Sequence, residues 1–113
     1  MNDFETSVIS DISSLPNITF WHRNLGRGKG FSINGFKSRH YPDFILHTRN
    51  GNVIILETKG DDRDNPDSAS KRRLGEKWAN LSGVNYYYFM VYNKISPEGA
   101  FNRVKARELI SRL

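Results

Sequence analysis

The stretch YPDFILHTRNGNVIILETKG, residues 41–60, decides the fold because it has the pattern of a β-hairpin. Two apolar runs, 44–46 and 53–56, flank an Asn50-Gly51 pair. Asn-Gly between apolar runs is the strongest short-range signal for a hairpin turn. Charged side chains stand at the outer ends of both predicted strands, which is unusual for so hydrophobic an element.

Two registers of this hairpin place the charged residues differently. If Asp43 opposes Glu57, residues 49–51 form a three-residue loop in which Gly51 takes the left-handed position that favours glycine. A two-residue turn would instead pair Asp43 with Thr58 and turn Glu57 to the other face of the sheet. The turn chemistry allows both registers, and the need for a shared site favours the first.

In the first register, Asp43, Glu57 and Lys59 converge at one end of the hairpin, because residues two apart on a strand share a face. Two carboxylates about 5 Å apart repel each other unless a cation bridges them. Mg²⁺ prefers such oxygen ligands and also binds phosphate oxygens, while a lysine can offset charge at phosphorus. The three residues are therefore predicted to be the catalytic residues of a metal-dependent phosphodiesterase. The alternative for either fragment alone is a solvated strand end.

The rest of the chain supplies helices and strands around the hairpin. Helices are predicted over 3–15, 69–82 and 98–112, and further strands over 17–24 and 86–92, with Asp67 or Ser68 as the N-cap of the second helix. The predicted fold is α/β, a mixed central sheet flanked by helices in the order α-β-β-β-α-β-α. The whole chain, 1–113, is predicted to be a single domain.

Composition indicates the class of partner. Seventeen Lys and Arg against twelve Asp and Glu give 113 residues a net charge of +5, which favours nucleic acid over a membrane surface. No apolar run approaches the ~20 residues of a membrane span, and the N-terminal residues lack the pattern of a signal peptide. The chain has no cysteine, in keeping with a reducing compartment. We therefore expect a cytoplasmic protein with no membrane partner.

At this point the sequence resembles a known superfamily, the PD-(D/E)XK nucleases. Pro42-Asp43 followed by Glu57-Thr58-Lys59 matches the short signature of that superfamily. Over nearly the whole chain, the segments ITFWHRN, FSINGF, YPDF, ETKGDDRDN, KRRLGEKWANLSG and YYYFMVY resemble the C-terminal endonuclease domain of type III restriction enzyme Res subunits. This extended similarity is far more specific than the short signature.

The resemblance implies a restriction-endonuclease-like core and Mg²⁺-dependent cleavage of double-stranded DNA, with Mn²⁺ as a substitute metal. It also implies partners in the helicase and methyltransferase parts of a restriction complex, with ATP acting only through helicase domains. GRGKG, residues 26–30, lacks the Gly-Lys-Ser/Thr ending of a phosphate-binding loop. A homodimer would allow both DNA strands to be cut. Two alternatives stay open: a catalytically silent DNA-binding or assembly module of the same fold, and a resolvase or repair-type nuclease.

Further residues are candidates for supporting roles. The resemblance implies an additional acidic metal ligand on the first helix, for which Glu5 is the candidate. Basic side chains are predicted to contact DNA phosphates, and they are Lys71, Arg72, Arg73, Lys77, Arg27 and Lys29. Lys71 is also expected to reach the edge of the site, and His40 to lie near its mouth. Trp78 is predicted to belong to the core.

Overall fold

The structure is a computed structural model that describes residues 1–24, 31–34, 39–60 and 62–113. Three helices lie in this part of the chain: α1 (Asp3–Ser13), α2 (Pro66–Ser82) and α3 (Arg103–Ile110). Seven strands accompany them there: β1 (Ile18–Arg23), β2 (Ile33–Asn34), β3 (Arg39–His40), β4 (Phe44–Thr48), β5 (Val53–Lys59), β6 (Tyr86–Tyr92) and β7 (Phe101–Asn102).

Five of these strands form one mixed sheet in the order β1-β4-β5-β6-β7. The pairs β1–β4 and β4–β5 are antiparallel, whereas β5–β6 and β6–β7 are parallel. Helix α2 connects β5 to β6, as a parallel pair requires a crossover. Strand β6 is apolar along most of its length because both of its faces are covered. The prediction of an α/β protein with a mixed sheet is confirmed, and β2 and β3 form a separate two-stranded ribbon.

The hairpin has the first of the two predicted registers. Ile45 pairs with Ile55 and His47 with Val53, so position 43 falls opposite position 57. Gly51 has a φ of 84°, the left-handed conformation that the three-residue loop needs. The two-residue alternative is therefore wrong for this chain, and every side chain of β4 and β5 has the face predicted for it.

The sheet separates two layers of helices. Helices α1 and α3 cover one face, and their apolar side chains pack on the even-numbered residues of the hairpin, in a core of Val8, Ile9, Ile12, Leu15, Phe44, Leu46, Ile54, Leu56, Phe89, Val91, Ala106 and Ile110. Helix α2 covers the other face, in a core of Ile33, Ile45, Ile55, Ala79, Tyr88, Met90, Tyr92 and Ala100. The predicted site residues on β5 belong to the α2 face.

Helix α2 packs very closely on the sheet through a glycine. A Cβ atom added to Gly75 would lie 2.5 Å from ring carbons of Tyr88, closer than real Cβ contacts. Trp78, one turn further along, meets Phe31 and Tyr86 edge-on, with ring centroids 5.2 and 5.6 Å away. As predicted, Trp78 packs against the core.

Two predicted helix starts are wrong. Helix α2 begins at Pro66, three residues before the prediction, because Asn65 is its N-cap and accepts a hydrogen bond from the Ser68 N–H at 2.8 Å. Neither Asp67 nor Ser68 caps the helix. The last helix begins at Arg103 rather than 98, because the preceding residues form β7 at the edge of the sheet. Of the helices described, none is long and apolar enough to cross a membrane.

Candidate active site

The structure brings the carboxyl groups of Asp43 and Glu57 together where β4 begins and β5 ends. The two side chains share a hydrogen bond. Asp43 is fixed in place by Thr58, because Asp43 Oδ2 accepts hydrogen bonds from the Thr58 backbone N–H and from its hydroxyl, each at 2.8 Å. Asp43 is therefore oriented by Thr58 of the neighbouring strand β5.

Glu57 is buried, with only 8% of its surface exposed. The pKa of Glu57 is raised from 4.5 to about 10, first by burial and then by the hydrogen bond and negative charge of Asp43. The positive charges of Lys71 and Lys59 oppose this shift without cancelling it. At neutral pH and without a metal, Glu57 is therefore protonated and donates its proton toward Asp43.

On the α2 face, His40 lies beside Glu57, and Tyr88 lies on the other side of the His40 ring. His40 Nδ1 is 3.6 Å from Glu57 Oε2, and His40 Nε2 is hydrogen-bonded to the Tyr88 hydroxyl at 2.7 Å. Burial lowers the pKa of His40 to about 4, with a further contribution from the charge of Lys71, so its ring is neutral at pH 7. Burial, followed by the charge of Glu57, raises the pKa of Tyr88. This fixed imidazole packs against Glu57 without supplying a positive charge.

Two lysines contribute positive charge to the site. Lys59 lies two residues after Glu57 on β5, so both side chains project from the same face of the sheet. Lys71 comes from the second turn of α2, where it forms an ion pair with Asp67 at 3.3 Å. Both charges lower the pKa of Glu57 and the pKa of His40. Lys71 thus reaches the edge of the site, as expected.

Glu5 is not part of this cluster. Its carboxylate Oε2 accepts a hydrogen bond from the Asn2 N–H at 3.1 Å, and Asn2 Oδ1 in turn accepts from the Glu5 N–H, so Glu5 completes a capping box of α1. Helix α1 belongs to the opposite layer, although Phe4 in its first turn approaches Gly60. Among the described residues, no hydrogen bond or ion pair joins Glu5 to Asp43 or Glu57.

The donors present suit a hard cation. Within the described ranges, no cluster of three or more His, Cys, Asp and Glu side chains could hold a metal ion. Mg²⁺, however, usually keeps several waters and binds through one or two carboxylates together with substrate phosphates. Asp43 and Glu57 provide that number of carboxylates, so the pair fits Mg²⁺ better than a metal such as zinc, which takes three or four protein ligands.

Arg72 requires a correction. It was predicted to contact DNA phosphates, but it is only 5% exposed, and its guanidinium forms two hydrogen bonds with the Asp64 carboxylate at 2.7 and 3.0 Å. Its Nε also donates to the Glu98 carbonyl, and the Tyr92 hydroxyl donates to Asp64. The Arg72 guanidinium holds the pKa of Asp64 well below its usual range. Arg72 therefore anchors α2 to the end of β6 and is not available to DNA.

The other residues predicted to contact DNA differ in how exposed they are. Arg73 and Lys77 are exposed on α2, and Lys71 is half-buried at the edge of the site. Arg27 and Lys29 lie outside the described residues. The exposed basic surface that remains in the described part of α2 is thus formed by Arg73 and Lys77.

Comparison of the chain with models of protein families, with curated protein sequences and with solved structures found no match.

Proposed function

We propose that this chain is the metal-dependent DNA endonuclease domain of a PD-(D/E)XK nuclease, with a restriction-endonuclease-like core similar to that of type III restriction enzymes. The observation that carries the proposal is the hydrogen-bonded pair of Asp43 and Glu57, with Lys59 on the same face of β5. A buried carboxyl group beside a second carboxyl group is costly for a fold to maintain. A bound divalent cation would remove that cost.

Each residue of the site has a separate task in this proposal. Asp43 and Glu57 would hold Mg²⁺, or Mn²⁺ in its place. When bound, the ion supplies positive charge at a phosphate oxygen and makes a bound water more acidic. Glu57 must lose its proton before it can act as a ligand, whereas Asp43 is already oriented by its two bonds from Thr58. Lys59 offsets the negative charge that grows on the phosphorus centre in the transition state.

The proposed substrate is double-stranded DNA. The net charge of +5 and the exposed side chains of Arg73 and Lys77 support binding to phosphates, which carries no sequence information by itself. By resemblance, we propose a cytoplasmic restriction complex in which helicase and methyltransferase parts select the target and ATP acts only on the helicase. A homodimer would supply a second site for the second strand.

Two observations favour a second candidate, a catalytically silent DNA-binding or assembly module of the same fold. Glu57 is buried and protonated without a metal, and the third acidic residue implied by the resemblance, Glu5, caps a helix instead. A silent module would keep the fold and the basic surface while never binding a metal at the carboxylate pair.

A plasmid-cleavage assay separates the two candidates. Asp43→Asn removes the charge and keeps an oxygen that can accept from Thr58, and Asp3→Asn is the matched control at an exposed carboxylate of α1. We expect Mg²⁺-dependent nicking and linearisation by the wild type and by Asp3→Asn, and none by Asp43→Asn. Equal rates for Asp43→Asn and wild type would refute the catalytic assignment. A wild type that never cuts, with either metal and with helicase parts restored, would establish the silent module.

A further inference from the structure

Three rings stand side by side on an uncovered part of the sheet, and we name them the aromatic strip: Phe20, His22 and His47. The rings of Phe20 and His47 are stacked, with centroids 4.2 Å apart and planes 14° apart. His22 and His47 follow at 6.1 Å and 22°. Phe20 is 55% exposed and His22 is also exposed. An exposed phenylalanine on a stack of nearly parallel rings is not explained by core packing.

A β-bulge creates the aromatic strip. Ile18 pairs with Thr48 but Phe20 pairs with His47, so Thr19 is an extra residue in β1. The Thr19 hydroxyl donates to the His47 carbonyl at 3.0 Å and holds the bulge in place. Because of this extra residue, Ile18 faces the α1 layer while Phe20 faces the opposite side of the sheet. Bulges commonly re-aim a side chain in this way.

The aromatic strip lies on the same face of the sheet as the carboxylate pair. Along β4, His47, Ile45 and Asp43 alternate onto this face, and His22 stands opposite Ile45. Successive residues of a strand are about 3.4 Å apart. Measured along β4, the His22–Ile45 pair is therefore about 7 Å from Asp43, and the Phe20–His47 pair is about 14 Å from it. Helix α2 packs on β6 further across the sheet, which leaves the rings exposed.

We propose that the aromatic strip is a stacking platform for unpaired bases of DNA whose backbone continues to the carboxylate pair. This inference rests on the proposed function, because it names the substrate class of the same site: DNA with an unpaired stretch beside the bond to be cut. Bases within a duplex stack on each other and cannot offer their faces to Phe20.

Charge supports this occupant over a second copy of the chain. Lys59 and Lys71 lie at the site end of the aromatic strip, and exposed Arg49 follows β4 at the other end. A phosphate backbone along the strip would meet positive charge at both ends. Two copies joined through the edge strand β1 would instead bring two chains of net charge +5 together.

The test measures binding in EDTA, so that no cleavage is needed. Binding is measured by the fluorescence anisotropy of three labelled probes. They are an oligothymidylate, an abasic oligonucleotide of the same length, and a blunt duplex of that length. Phe20→Leu removes the ring and keeps an apolar side chain, Phe20→Tyr keeps a ring, and Leu81→Ala is a control at an exposed apolar residue of α2.

We expect Phe20→Leu to bind the oligothymidylate about 5- to 150-fold more weakly, as removal of a base-stacking ring usually does. Phe20→Tyr and Leu81→Ala should bind like the wild type, and the abasic probe should not distinguish Phe20→Leu from wild type. Far-ultraviolet circular dichroism and the urea-unfolding midpoint of Phe20→Leu verify that the variant is folded.

Three results would overturn the inference: undiminished affinity of Phe20→Leu for the oligothymidylate, equally tight binding of the abasic probe by the wild type, or a dimer through β1 that the oligothymidylate does not dissociate. These outcomes are separable from failure of the proposed function. A protein that stacks bases through Phe20 but never cuts DNA refutes the nuclease alone. A nuclease that is indifferent to Phe20→Leu refutes the stacking platform alone.

Discussion

Glu57→Gln should make the metal-free protein more stable in alkaline solution, because it removes a carboxyl group that must stay protonated in the folded state. The pKa of Glu57 is raised from 4.5 to about 10 by burial and by Asp43. The folded protein therefore binds a proton that the unfolded chain has lost, and stability from this group declines as pH rises from 4.5 toward 10. Glutamine preserves a donor toward Asp43 and does not titrate.

The magnitude follows from linkage. Each pH unit between the two pKa values of Glu57, 4.5 and about 10, costs about 1.4 kcal/mol, so wild type should lose about 2.7 kcal/mol relative to Glu57→Gln between pH 7 and pH 9. That is a large share of the ~5–15 kcal/mol typical of a small domain. His40, with a pKa lowered to about 4, contributes only below pH 6.5, so it does not affect this window.

The assay is urea unfolding in EDTA at pH 7, 8 and 9, with Glu98→Gln as the control because Glu98 is exposed. Glu98→Gln should follow the wild type, and the difference between Glu57→Gln and wild type should widen with pH. Parallel curves for wild type and Glu57→Gln would refute the reasoning, since Glu57 would then be ionised in the folded protein and would share no proton with Asp43.

Four further predictions concern catalysis, DNA binding and packing. Lys59→Ala should slow cleavage by on the order of 10²–10³ while calorimetry shows undiminished metal binding, because its ammonium is not a metal ligand and offsets charge that develops at phosphorus in the transition state. Unchanged cleavage would remove Lys59 from the catalytic set. In the double variant Arg73→Ala with Lys77→Ala, the affinity for DNA should fall less steeply with salt. The magnitude of the slope of log affinity against log salt concentration should decrease by up to about two units. Arg72→Ala should leave that slope unchanged and lower the melting temperature, whereas an altered slope would contradict its burial. Gly75→Ala should cost about 1–3 kcal/mol in urea unfolding because its Cβ would overlap a ring, and a neutral effect would contradict the close packing of α2.

The sequence was sufficient to predict the hairpin and to limit its register to two possibilities. The alternation of apolar residues and the glycine at position 51 are local signals that both registers satisfy, and only the requirement for a shared carboxylate site favoured the register that the structure has. The neighbouring position of Asp43 and Glu57 follows directly from that register. The order of the three helices and of the four longer strands was also predicted, because each long element has its own periodicity. The two-residue strands β2, β3 and β7 were missed, since they are too short to show one.

Features that depend on packing between distant segments could not be predicted. Arg72 stands among basic residues and looks like a surface charge, but its partners are Asp64 in a loop and the Glu98 carbonyl beyond β6. The burial of His40 likewise depends on Tyr88, 48 residues away. Glu5 lies three residues after Asn2, so its capping box had a local signature that competes with the role implied by resemblance.

The central claim is that Asp43 and Glu57 together hold a divalent cation, and calorimetric titration with Mn²⁺ at pH 8 tests it most directly. The titration is repeated in two buffers with different ionisation enthalpies, and the difference between the observed heats gives the number of protons released. The wild type should bind with release of about one proton, because Glu57 has a pKa of about 10 and must be deprotonated to act as a ligand. Asp43→Asn and Glu57→Gln should show no binding, whereas Asp3→Asn should match the wild type. Equal heats for wild type and Glu57→Gln, or binding without proton release, would contradict the claim.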